Sequence, residues 1–193
     1  MDVWTLFFTD IEDSTGHYER AGPIYRAAAT LQFTLLRNEI EAHDGEIFRH
    51  TGDGLLAAFR NSAAALDCAK ACQRSLRKME WPSEIGELRV RIGLHRGEVE
   101  RMGDGFQGLT MHHAARVRDA AHGAQILCST AVRDDVDGHI RSEAKDLGLF
   151  RLRGVPAPMR LFQVDYDGMP RGGFPSPRTP AGGPAMPPSP AVT

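Results

Sequence analysis

The chain holds no run of apolar residues near the roughly 20 that a membrane-spanning helix needs. Its apolar N-terminal stretch, residues 3–8, is too short for a secretory signal and has no basic leader. These absences predict a cytoplasmic protein with no membrane partner. A basic tract is also missing, and the net charge is only −2, so binding to nucleic acid through a cationic surface is not expected. Cysteines number three, an odd count without metal-ligand spacing, which excludes a disulfide framework and a zinc site and fits a reducing compartment. Cys68 and Cys72, one helical turn apart in an Ala-rich stretch, read as small core hydrophobes.

Large apolar residues become scarce after Asp167, where eight of the 12 prolines lie among Gly, Ser and Ala. Such a segment cannot bury enough surface to offset its ordering entropy. The 193 residues therefore divide into one domain over 1–166, long enough for a real core, and a disordered tail over 167–193 with no chemistry of its own.

Within the domain, residues 3–9 read as a fully buried strand closed by the polar cluster 10–15. Ser14 and Thr15 are candidate caps for the helical region that follows, and Pro23 opens a second helix running to about residue 43. Residues 46–59 form a hairpin around Thr51-Gly52-Asp53-Gly54, and Asn61 or Ser62 caps a helix to about residue 78. Val90, Ile92 and Leu94 alternate with Arg89, Arg91 and Gly93 in a strand over 88–99. A glycine-rich loop over 103–108 leads into a helix over 109–121, then a short strand over 125–128. A brief helix capped by Ser129 and strands over 140–152 and 160–164 complete the domain. Strands alternating with helices, with one tight hairpin, give an α/β (α+β) sandwich of the ferredoxin-like kind, a mixed or antiparallel sheet covered by helices.

Two carboxylates stand out. Asp10 closes the first strand and Asp53 sits on the glycine-flanked hairpin tip. A carboxylate beside a strand core is costly unless something cationic compensates it. Two of them offer oxygen donors of the kind that Mg²⁺ takes together with waters and phosphates. Both are also residues that commonly form turns.

Three stretches in order, Phe8-Thr9-Asp10-Ile11-Glu12-Asp13-Ser14-Thr15, Arg49-His50-Thr51-Gly52-Asp53-Gly54 and Gly108-Leu109-Thr110-Met111-His112-His113-Ala114-Ala115-Arg116, together resemble the class III nucleotidyl cyclase catalytic domain, the fold of adenylate and guanylate cyclases. Supporting matches run through Ala121-His122-Gly123-Ala124-Gln125 and from Asp146-Leu147-Gly148 to Leu152-Arg153-Gly154, so the resemblance spans about residues 3–165. It implies that Asp10, Asp53 and the backbone carbonyl of Ile11 hold two Mg²⁺ or Mn²⁺ ions, one lowering the pKa of the nucleophile and both neutralising phosphate charge. It implies that N–H groups of the turn at Ser14 and Thr15 cradle phosphates, that Arg116 is a transition-state arginine, and that Arg153 contacts phosphate. It further implies a homodimer whose two sites are each shared between subunits. The reaction implied is conversion of ATP, with GTP as a second substrate, to 3′,5′-cyclic nucleotide and pyrophosphate.

The departures lie in the base and ribose half. Arg49 stands where a purine-reading Lys is usual, and its planar fork does not reproduce a point ammonium. Gly105 stands where a purine-reading Asp is usual, with Asp104 one step away, and His112 replaces a ribose-orienting Asn. These changes imply slow turnover with weak purine selectivity. They also keep open a second reading, a catalytically silent homologue serving as a nucleotide-responsive dimeric module. His113 and His122 read as packing or surface residues.

Overall fold

The computed structural model describes residues 1–136, 138 and 143–180. The element order is β1 (Asp2–Ile11), α1 (Ser14–Ala42), β2 (Glu46–Thr51), β3 (Gly54–Phe59), α2 (Ser62–Lys78), β4 (Val90–Met102), β5 (Gly105–Gln107), α3 (Leu109–Ala120), β6 (Ile126–Ser129), α4 (Thr130–Asp134), β7 (Ala144–Phe150) and β8 (Met159–Val164). One sheet runs β2-β3-β1-β4-β6-β8-β7, with β5 paired to β4. All neighbours are antiparallel except β4 and β6, so the sheet is mixed.

Alternation along β1 divides the core. Phe7 and Ile11 join Leu36, Ile40, Leu66 and Cys72 under α1 and α2, whereas Trp4, Leu6 and Phe8 pack with Ala114 of α3 on the opposite face. A helical layer thus covers each side of the sheet, as the sequence pattern predicts. Asn61 caps α2, accepting from the amides of Ala63 (2.7 Å) and Ala64 (3.4 Å). Cys68, Cys72 and Cys128 are buried free thiols, and burial pushes Cys128 up to about 12. They pack as hydrophobes.

Several boundaries differ from expectation. The two helices expected before residue 43 form one helix bent at Gly22 (φ 21°, ψ −93°), because Pro23 follows and cannot donate into the helical ladder. Its N-cap is Asp13, in the left-handed region (φ 57°), rather than Ser14 or Thr15. Ser129 makes no capping bond to α4; its hydroxyl lies 2.7 Å from His95 Nδ1. The expected loop over 103–108 is partly strand, since β4 continues to Met102 and turns back as β5. Part of the strand expected over 140–152 lies outside the described residues, and so does 181–193 of the tail.

The described tail residues, 167–180, are docked rather than loose. The Arg178 amide donates to the Ala120 carbonyl (2.8 Å), Pro177 is buried, and the Ser176 carbonyl accepts from His122 Nε2 (3.0 Å). Ala120 is the last residue of α3, so the tail satisfies a carbonyl that the helix end leaves without an internal partner. On the α3 side, Gly93 of β4 lies directly beneath the Arg118 backbone, leaving no space for a β-carbon.

Candidate active site

The β1 and β3 strands pair antiparallel with Phe8 opposite Leu56. Continued for two or three residues, that register sets Asp10 beside Gly54 and Ile11 beside Asp53, so both carboxylates emerge at one end of the sheet. The Leu55 amide donates to Thr9 Oγ1 (2.8 Å), and the Thr9 carbonyl occupies the space a side chain at Gly54 would need. Glycine there lets the hairpin close onto β1.

Asp10 lies on the α3 face with Phe8 and accepts a hydrogen bond from Arg91 Nη2, its register partner on β4. The two side chains are only 13% and 17% exposed. Burial, then the nearby Arg178 and Arg118 guanidiniums, lower the Arg91 pKa, which marks this corner as rich in positive charge. Asp53 turns to the α1 side. It lines a cavity of about 680 Å³ with Ser14, Thr15, Tyr25, Phe33 and His50. Burial and then the Asp53 charge raise the Tyr25 phenol pKa, partly offset by a hydrogen bond with Ser14.

The structure therefore brings Asp10 and Asp53 to the same sheet end but engages them differently. Among the described residues, no three His, Cys, Asp or Glu side chains gather as a ready cage. The donor set, two carboxylates and the Ile11 carbonyl, is all oxygen and suits a hard divalent cation. For Asp10, such a cation would take over the role of counter-charge that Arg91 now fills.

Arg116 and Arg153 face one space. Together with Asp119 and Leu152 they line a second cavity of about 320 Å³, walled on the tail side by Arg178, Thr179 and Pro180. Asp119 holds Arg116 at 2.9 Å and Arg118 at 2.6 Å. One turn before Arg116, His112 is exposed. Its neighbour His113 packs edge-on against His95, ring centroids 5.2 Å apart. Burial pushes His95 down to about 4, so it is neutral at pH 7.

The base-reading positions sit at the other end of α3. His50 of β2 packs on Phe33 of α1 (4.5 Å), so the exposed Arg49 next to it points to the opposite face. Gly105 opens β5, and a β-carbon there would sit 3.8 Å from Phe48 of β2. Asp104 is exposed in the β4–β5 turn. The sequence reading missed Arg91, Tyr25, Asp119, Arg178 and Thr179. Arg91 alone carried a signal, because it is a charged residue set between the apolar Val90 and Ile92 of an alternating strand.

No protein-family model matches the chain. It is 36% identical over 180 residues to an uncharacterized protein of Mycobacterium tuberculosis, covering 91% of this chain and 60% of that relative. It is 27% identical over 205 residues to a receptor-type adenylate cyclase of Trypanosoma brucei brucei, covering 83% of this chain and 17% of the relative. The chain thus spans about 60% of the length of the first relative and 17% of the second. Among solved structures, a monomeric adenylate cyclase of Trypanosoma brucei superposes with a TM-score of 0.84 at 24% identity, covering 93% and 96% of the two chains. An adenylate/guanylate cyclase/hydrolase from Silicibacter pomeroyi gives 0.76 at 25% identity, covering 86% and 97%. The guanylate cyclase domain of RhGC from Catenaria anguillulae, in complex with GTP, gives 0.76 at 18% identity, covering 86% and 97%.

Proposed function

We propose, from the premise that the chain carries the catalytic-domain fold of the class III nucleotidyl cyclases, that it binds a nucleoside triphosphate with Mg²⁺ or Mn²⁺ and cyclises it. ATP is the favoured substrate and GTP is poorly excluded. The observation that carries this reading is the convergence of Arg116 and Arg153, 37 positions apart in sequence, on one cavity at the C-terminal end of α3.

The residues divide the work. Asp10, Asp53 and the Ile11 carbonyl would hold the metal, which when bound supplies charge neutralisation and a more acidic ribose hydroxyl. N–H groups of the turn at Ser14 and Thr15 donate to the triphosphate oxygens at the start of α1. His112 donates to the ribose and fixes the direction of its 3′-oxygen. That oxygen gives up its proton to solvent and forms a bond to the α-phosphorus as the bond to the pyrophosphate oxygen breaks, and Arg116 stabilises the charge that builds on the phosphoryl oxygens. Arg153 holds the departing pyrophosphate. Arg49 and Asp104 are left to read the purine. The metal half and the Arg116 half come from different subunits of a homodimer.

A second reading rests on the Asp10–Arg91 pair. With Asp10 already neutralised and Gly105 and His112 departing from the cyclase pattern, the domain would bind nucleotide without turnover and report it to a partner. Purified protein incubated with Mn²⁺ and ATP or GTP, with cyclic product measured by chromatography, separates the two. Cyclic product establishes the enzyme. Metal-dependent nucleotide binding without product establishes the silent module, and no metal-dependent binding refutes both.

A further inference from the structure

The docked part of the tail meets the described site at one place. Its backbone is fixed to the end of α3 by the Arg178 amide and to His122 through the Ser176 carbonyl. This presents two consecutive side chains, Arg178 and Thr179, to the cavity of Arg116 and Arg153. Three guanidiniums thus face one carboxylate, Asp119, whose oxygens are already held by Arg116 and Arg118. Among the described residues the Arg178 guanidinium has a long ion pair to Glu12, 3.9 Å, so its charge is weakly engaged there. The Thr179 hydroxyl is buried in the described structure without a hydrogen-bond partner. A buried hydroxyl left unpaired costs free energy, and an oxyanion among three arginines would satisfy it while balancing the charge.

We propose that residues 176–180 form a built wall of an oxyanion site, in which Arg178 and Thr179 join Arg116 and Arg153 to hold a pyrophosphate group. The proposal rests on the reading of Arg116 and Arg153 as phosphate-handling residues, but it requires no turnover. The pyrophosphate chemistry has two sources, the β- and γ-phosphates of the bound nucleotide and the released product. Both present the same oxygens to the same arginines.

Isothermal titration of the full chain with inorganic pyrophosphate, and separately with a non-hydrolysable ATP analogue plus Mn²⁺, tests it. Arg178→Ala is expected to weaken pyrophosphate binding about tenfold, the effect of losing one half-exposed charge-assisted contact. Thr179→Val should weaken it several-fold. Arg171→Ala, an exposed tail arginine outside the cavity, serves as the control and should change nothing. A parallel loss with the ATP analogue assigns the site to the nucleotide's own phosphates, and a loss confined to pyrophosphate assigns it to the product. Wild-type affinity in Arg178→Ala overturns the proposal, as does tighter nucleotide binding, which would make the segment an obstruction. If Arg116→Ala weakens binding while Arg178→Ala does not, only the tail inference falls. If neither weakens it, the phosphate reading of the cavity falls as well. Melting temperatures within a degree or two of wild type exclude misfolding as the cause.

Discussion

Placing an aspartate at position 105 should shift the proposed purine site towards adenine. The structural cost is small. A β-carbon on Gly105 has Phe48 Cδ2 at 3.8 Å and the Met102 carbonyl at 3.9 Å as its nearest neighbours, ordinary van der Waals distances. Stability should therefore change by no more than about 0.5 kcal/mol, the usual range for a surface substitution. The new carboxylate would arise on the edge strand, near Phe48. It can accept from the exocyclic amino group of adenine and finds only a repelling carbonyl oxygen at the same place on guanine. One such discriminating contact is worth about 1–3 kcal/mol, or roughly 5- to 150-fold in relative affinity. Competition between ATP and GTP for Mn²⁺-loaded Gly105→Asp protein measures that ratio directly, whether or not product forms. An unchanged ratio in a protein with native melting behaviour would refute the placement of position 105 in the purine pocket.

Asp10→Ala and Asp53→Ala should each abolish metal-dependent nucleotide binding, but only Asp10→Ala should lower stability. It leaves the mostly buried Arg91 without its carboxylate, at a cost of about 1–3 kcal/mol, readable by urea denaturation. Equal stability in the two variants would mean the Asp10–Arg91 pair contributes nothing. Mixing inactive Asp53→Ala chains with inactive Arg116→Ala chains should restore activity, since one of the two shared sites in a mixed dimer lacks neither residue. A mixture that exchanges subunits yet stays silent counts against the shared site. His95 makes stability pH-dependent, because burial holds its folded pKa near 4 against about 6.5 unfolded. The unfolded chain binds the extra proton first, so stability is complete above pH 6.5 and declines as pH falls toward 4, by about 3 kcal/mol. Urea unfolding of wild type and His95→Gln between pH 7 and 4.5 should show the slope in the first and a flatter profile in the second.

Much of this was legible because it is local. A buried apolar strand, a glycine-tipped hairpin and an Ala-rich helix with an Asn cap announce themselves over a few residues, and the structure places all three as read. Arg116 and Arg153, named separately from the sequence, line one cavity. Hidden from the sequence were contacts that depend on register. The pairing of Asp10 with Arg91 spans 81 positions and follows only once β1 is known to lie against β4. The carboxylate of Asp10, costly beside a strand core, has its compensating cation in Arg91. The described end of the tail is a different case. Its composition gives little core-forming surface, but docking residues 176–180 needed only a helix-end carbonyl, one buried proline and a few polar partners. Composition reports how much a segment can bury, and says nothing of a groove already built by the rest of the chain.

Gly93 acts as a spacer. Because the backbone of α3 rests on it without room for a methyl group, this glycine sets how far Arg116 and Arg118 stand above the strand that carries Arg91. Even alanine must push the helix away or tilt it, and a misplacement near 1 Å in a catalytic group costs heavily in rate. In a saturation-mutagenesis screen scored by activity, position 93 would accordingly look as intolerant as Asp10, although it has no side chain to offer a nucleotide. Intolerance at such a site records a dimension of the scaffold, and a sensitivity map of this protein would have to be separated into ligand contacts and thickness gauges before any residue on it was assigned a chemical role.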